Sequence, residues 1–109
     1  MKTVLQILVL IIASLLNSQQ YIVNKGTLKV YNDFRSEYVD NSTVAVWLSN
    51  GYNINQKYAV VYLNDGQMLF DACRTQNNHA WEIDKVFDKL LTGKKIKDCI
   101  VVGIWNNSD

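Results

Sequence analysis

The sequence predicts an α/β domain in which two antiparallel strands lead into a βαβ unit. Three observations predict it. Two continuous apolar runs, Tyr58–Leu63 (YAVVYL, in the segment Lys57–Leu63) and Cys99–Trp105 (CIVVGIW), have strand length and are rich in Val, Ile and Tyr. Between them, Ile83, Val86, Phe87, Leu90 and Leu91 recur at helical spacing. Before them, two segments alternate in side-chain character, as half-buried strands do. Strand, helix and strand over roughly fifty residues make a βαβ unit, parallel and right-handed by strong precedent.

The elements follow in order. Residues 1–20 stand apart. Lys2 supplies a positive start, Val4–Leu16 is apolar apart from Gln6 and Ser14, and Asn17–Gln20 is polar. That is the layout of a secretory signal peptide, and the apolar run is short for a membrane span. Cleavage is expected after Ser18, although Leu16 is not the small residue preferred two positions upstream. Residues 1–18 are then a leader and 19–109 the domain, exported as a secreted or periplasmic protein with no stable membrane partner. An uncleaved anchor is the alternative.

Tyr21–Asn24 reads as a flexible lead-in. Gly26–Phe34 alternates, with Leu28 and Val30 on one face and Lys29 and Tyr31 on the other, the pattern of a half-solvated edge strand. Arg35–Asn41 is a polar connection. Ser42–Ser49 is a second strand, with Val44, Val46 and Leu48 opposite Ala45 and Trp47. Asn50-Gly51 is a turn signal, and Tyr52–Gln56 lengthens it. Short connections make the first strand pairs antiparallel. Lys57–Leu63, without polar alternation, reads as a strand buried on both faces.

That strand stops at Asn64-Asp65-Gly66, where Gly66 can take φ > 0 without a Cβ penalty. The carboxyl edge of such strands is where open α/β sheets bind ligands. Gln67–Asn78 is a loop that opens with an apolar plug, Met68-Leu69-Phe70. His79–Thr92 is a helix with Asn78 as N-cap, Glu82 and Asp84 near its amino end, Lys89, Lys94 and Lys95 near its carboxyl end, and Gly93 at C′.

Composition excludes some classes. A chain of 109 residues holds one domain at most. Its net charge of +1, with no basic stripe, lacks the electrostatic footprint of a nucleic-acid binder. Cys73 and Cys99 could pair in an export compartment, but a thiol opening a core strand packs as a small hydrophobe, so two unpaired cysteines are expected. Two cysteines and one histidine give no zinc spacing.

Three ordered stretches carry a resemblance: VAVWLSNGYN at Val44–Asn53, KYAVVYLNDGQMLFD at Lys57–Asp71, and IVVGIWNN at Ile100–Asn107. They resemble the amino-terminal third of the esterase branch of the α/β-hydrolases, which includes enterochelin, feruloyl and esterase D-like esterases. The likeness covers about Gly26 to Asn107. It implies the amino-terminal part of an α/β-hydrolase sheet and serine-dependent hydrolysis of carboxylic esters without metal or organic cofactor. The implied substrates are small-molecule or carbohydrate-linked esters. Two positions depart from the family pattern: Asn64 stands where the family has histidine before Asp-Gly-Gln, and Ser49 where it has proline.

An esterase of this kind needs a serine in G-x-S-x-G, with an acid and a histidine later in the chain. No G-x-S-x-G occurs, and the sole histidine, His79, lies too early to be the triad base. The chain by itself is therefore expected to be inactive, an amino-terminal fragment of the catalytic domain. One catalytic component is implied: a backbone N–H after the third strand, donated to an oxyanion by Gln67 first and Gly66 second. Asp65 would brace the turn with its side chain, and Asn64 and Asp65 would line the substrate side. The rival reading is a secreted, non-catalytic carbohydrate-binding module that stacks sugars on Trp47, Tyr52 and Trp105. Asn41-Ser42-Thr43 and Asn106-Asn107-Ser108 match the N-glycosylation sequon.

Overall fold

The computed structural model describes residues 1–7, 21–71, 75 and 77–106. Most of the expected leader, its cleavage point, Cys73 and the last residues of the second sequon lie outside these. Among the described residues, no helix is long and apolar enough to cross a membrane.

Among the described residues, four strands form one mixed sheet: β1 (Thr27–Phe34), β2 (Ser42–Leu48), β3 (Ala59–Leu63) and β4 (Cys99–Ile104). A short 3₁₀ turn (Gly66–Met68) follows β3, and α1 (Ile83–Thr92) precedes β4. The spatial order is β1-β2-β4-β3. β1 and β2 pair antiparallel, β2 and β4 antiparallel, β3 and β4 parallel. The expected antiparallel hairpin and βαβ unit are therefore both present. The expectation that short connections pair neighbours fails at β2 and β3, because β4 inserts between them.

Register explains where the core sits. Leu28, Trp47, Val101 and Val61 fall in one row across the sheet, and Val30, Ala45, Gly103 and Leu63 in the next. Ala45, Trp47 and Val101 join Leu69 and Phe70 in the buried cluster, and Ile83, Phe87 and Leu91 of α1 pack against it. Phe87 meets Trp47 edge-on at 6.3 Å. The plug is thus real for Leu69 and Phe70. The helix stripe is narrower than its sequence pattern, because Val86 is exposed.

The opposite face carries Val44, Val46, Val102 and Ile104, with Val60 and Tyr62 from β3. It is less well covered. Val60 is 41% and Tyr62 68% exposed, so β3 is not buried on both faces as its apolar run suggests. A run without alternation needs two cover layers. The plug and α1 cover one face here, and β3 is also the outermost strand.

The helix begins four residues later than its pattern. The Trp81 N–H donates to the Met68 carbonyl at 2.9 Å and the Ile83 N–H to the Leu69 carbonyl at 3.0 Å, which commits this segment to the plug. Glu82, in the left-handed region at φ 53°, is the N-cap in place of Asn78 and makes no side-chain cap bond. At the other end Gly93 has φ −78°, and Lys94, at φ 51°, takes the left-handed position expected of Gly93.

The lead-in is tied to the domain by hydrogen bonds. The Ile22 N–H donates to Asp71 Oδ2 at 2.9 Å, and the Asn24 and Lys25 N–H groups donate to Asp84 Oδ2 at 2.7 and 3.1 Å. Trp47 Nε1 donates to the Lys25 carbonyl at 2.7 Å. These side chains provide acceptors and a donor for a segment that belongs to no strand.

Candidate functional site

The carboxyl ends of β3 and β4 share one edge of the sheet, as parallel pairing dictates. There Asn64, Asp65, Ile104, Trp105 and Asn106 line a shallow cleft of about 350 Å³. The cleft combines both strands' exits, so residues forty positions apart in sequence meet in it.

The turn differs in detail from its expected chemistry. The positive φ belongs to Asp65, at 54°, and not to Gly66. Asp residues tolerate this conformation better than most. The Asp65 side chain makes no cap hydrogen bond, so it does not brace the turn in the way expected. The turn is instead closed by the backbone, with the Met68 N–H on the Asp65 carbonyl at 2.8 Å.

Gly66 is required for space. A Cβ there would stand 2.7 Å from Trp105 Cδ1 and 2.8 Å from the Gly103 carbonyl carbon. A Cβ on Gly103 would stand 2.8 Å from Leu69 Cδ1 and 3.2 Å from Gly66 Cα. The two glycines let the turn lie directly on β4. Gly66 is accordingly buried and does not face open solvent.

Gln67 is fixed from the other side. Its Oε1 accepts the Asn106 N–H at 3.1 Å. The Trp105 N–H donates to the Thr43 carbonyl at 3.0 Å, and Ser42 Oγ donates to the Trp105 carbonyl at 2.8 Å. The exit of β4 is thus held by β2 and by the turn. The Gly66 and Gln67 N–H groups have no backbone acceptor among the described residues. They are the first N–H groups of a helical turn, which has no internal acceptor for them.

Behind the turn, Tyr21, Phe70, Asp71 and Trp105 enclose a void of about 10 Å³ with Gly66 and Gln67. That is about the size of one water. The Trp105 Nε1–H is buried without an acceptor among the described residues, while Tyr21 packs edge-on against the indole at 6.0 Å.

Four of the sequence-predicted site residues, Asn64 to Gln67, are therefore contiguous at the edge, but only Asn64 and Asp65 line the cleft. Gly103 and Asn106 were not singled out as site-forming residues, and Trp105 was named only as part of a sugar-stacking surface. The lone glycine within CIVVGIW was the available signal, since a strand glycine often marks close backbone approach. His79 is exposed and joins none of this; its N–H donates to Asn77 Oδ1. The expected stacking surface is also dispersed. Trp47 is fully buried, and Tyr52 stacks on Tyr58 at 5.2 Å.

Cys99 is free and buried, as expected of a core thiol. Burial pushes its pKa up, and the nearby Asp98 charge adds to the effect, so the reactive thiolate is disfavoured. Among the described residues, no group of three or more His, Cys, Asp or Glu is placed to hold a metal ion.

The model of the esterase family described as "Putative esterase" matches residues 36–108, about two thirds of the chain. No curated protein and no solved structure gives a significant match. The family match spans β2 through β4 and includes the whole cleft, and on that ground the chain belongs to this esterase family.

Proposed function

We propose that this chain supplies the oxyanion-binding edge of an exported, serine-dependent carboxylic-ester hydrolase of the α/β-hydrolase type. The observation that carries the reading is the pair of N–H groups at Gly66 and Gln67, without a backbone acceptor among the described residues, beside the cleft at the exit of two parallel strands. A donor held before charge develops needs no reorganisation when the carbonyl oxygen becomes negative. Gln67 is the first donor, because its side chain is tied to Asn106 and its position is fixed at both ends. Asn64 and Asp65 face the substrate side, and Asn64 cannot titrate near neutral pH as a histidine would.

The nucleophile, acid and histidine are not supplied by this sequence, which contains no G-x-S-x-G. The acyl-transfer step therefore needs a serine from outside these residues. The substrate is an ester of a small molecule or a carbohydrate, and no cofactor enters the reaction. The chain carries its own export leader at residues 1–18.

Hydrolysis of p-nitrophenyl acetate tests this. The chain alone is expected to give no rate above buffer after purification. A polypeptide in which the same residues continue to a G-x-S-x-G serine is expected to turn over. In that longer form Gln67→Pro, which removes one N–H, is expected to lower kcat by about 10²–10³. Unchanged kcat in the proline variant would discard Gln67 as donor.

A further inference from the structure

We propose that Asn41 is an acceptor for an N-linked oligosaccharide, and that the glycan covers the apolar tip of the β1–β2 hairpin. The inference at Asn41 rests on export, which it shares with the esterase reading, and the contrast drawn with Asn106 rests on the cleft of that reading as well. Asn41-Ser42-Thr43 is a complete sequon at an exposed position just before β2. Near it in sequence are apolar side chains that join no core cluster among the described residues: Phe34 is 55%, Tyr38 91% and Val39 71% exposed. Three large apolar side chains at one end of the hairpin are a liability for a protein in water, and a bulky hydrated sugar is a cover for such a surface.

The fold permits the modification in time as well as in space. In the finished structure the sequon is locked, because Ser42 Oγ binds the Trp105 carbonyl and the Thr43 carbonyl takes the Trp105 N–H. Trp105 lies 63 residues after Ser42. Synthesis at about 5–20 residues per second leaves the sequon open for several seconds before that partner exists.

The transfer itself is balanced. Asn41 Nδ2 attacks the anomeric carbon of a polyprenyl-diphosphate-linked oligosaccharide. A carbon–nitrogen bond forms, the bond from that carbon to the diphosphate oxygen breaks, the diphosphate leaves with the electron pair, and Nδ2 gives up one proton. The remaining Nδ2–H can keep the bond to Asp33 Oδ1, now 2.9 Å, and so orient the first sugar. The other sequon behaves differently. Asn106 lines the cleft with its N–H on Gln67, and a glycan there would fill the substrate side.

The test is expression of the full chain in a glycosylating eukaryotic cell, as it stands and with an unrelated secretory leader fused in front. Peptide-N-glycosidase release in ¹⁸O water, followed by peptide mass spectrometry, reads each asparagine. Labelled aspartate is expected at residue 41 and unmodified asparagine at 106. The mobility shift should vanish in Asn41→Gln and Thr43→Ala and persist in Thr43→Ser, and Asn41→Gln should precipitate at lower concentration than the parent. Modification only behind the added leader keeps the site and discards the export reading. An added-leader form that reaches the medium with Asn41 unmodified overturns the proposal, as does sugar at Asn106 with none at Asn41.

Discussion

At Gly66 the constraint is room, not dihedral freedom. Its missing side chain lets the turn rest on Gly103 and Trp105. Gly66→Ala and Gly103→Ala are each expected to cost about 1–3 kcal/mol in urea unfolding, the range for forcing a methyl group into a packed contact. Gly51→Ala is the control, because nothing lies within 4 Å of its added methyl, and it should change stability little. The sequence marked Gly66 as a turn residue but not its partner, since nothing local tells which backbone a glycine will touch. The same limit hid Asp84, which reads as an acidic residue in the first turn of α1. In the fold it is fully buried and accepts two N–H groups from the lead-in. Asp84→Ala leaves those donors without their partner and is expected to cost about 1–3 kcal/mol. Amide exchange at Asn24 and Lys25 should accelerate with it, and Asp84→Asn should recover part of the loss. In a Cys73→Ser background, Cys99 should react with Ellman's reagent only as fast as the chain opens.

Among the elements, β3 shows what an apolar run can and cannot say. Its strand character was legible in Tyr58–Leu63, and so was its turn. Its position was not, because strand order is decided by pairing between distant segments. β4 takes the place beside β2, and β3 is left outermost with Val60 and Tyr62 exposed. An exposed apolar edge invites pairing with another chain. Tyr62→Lys is expected to reduce aggregate in light scattering while changing stability by no more than about 0.5 kcal/mol. A parent that stays monomeric at the same concentration would remove the edge as the cause. The helix was legible for a different reason: Ile83, Phe87 and Leu91 repeat at the spacing that faces a sheet. Its start was misplaced because Trp81 and Ile83 bond to the plug, a long-range choice that overrides local capping preference.

For the whole molecule, the family and the α/β class followed from motifs in fixed order, whereas the lead-in's clamps and the uneven cover of the sheet required the fold. Of the four strands, β2 and β4 have neighbours on both sides, and β4 alone joins the hairpin to β3. Sheet hydrogen bonding between the first two strands and the third runs entirely through Cys99–Ile104. A nascent polypeptide on the ribosome holds Ala59–Leu63 as an orphan ribbon until that final piece emerges. A chaperone that grips extended apolar segments should therefore crosslink to the ribosome-bound intermediate near Val60 and let go once Ile104 has cleared the exit tunnel.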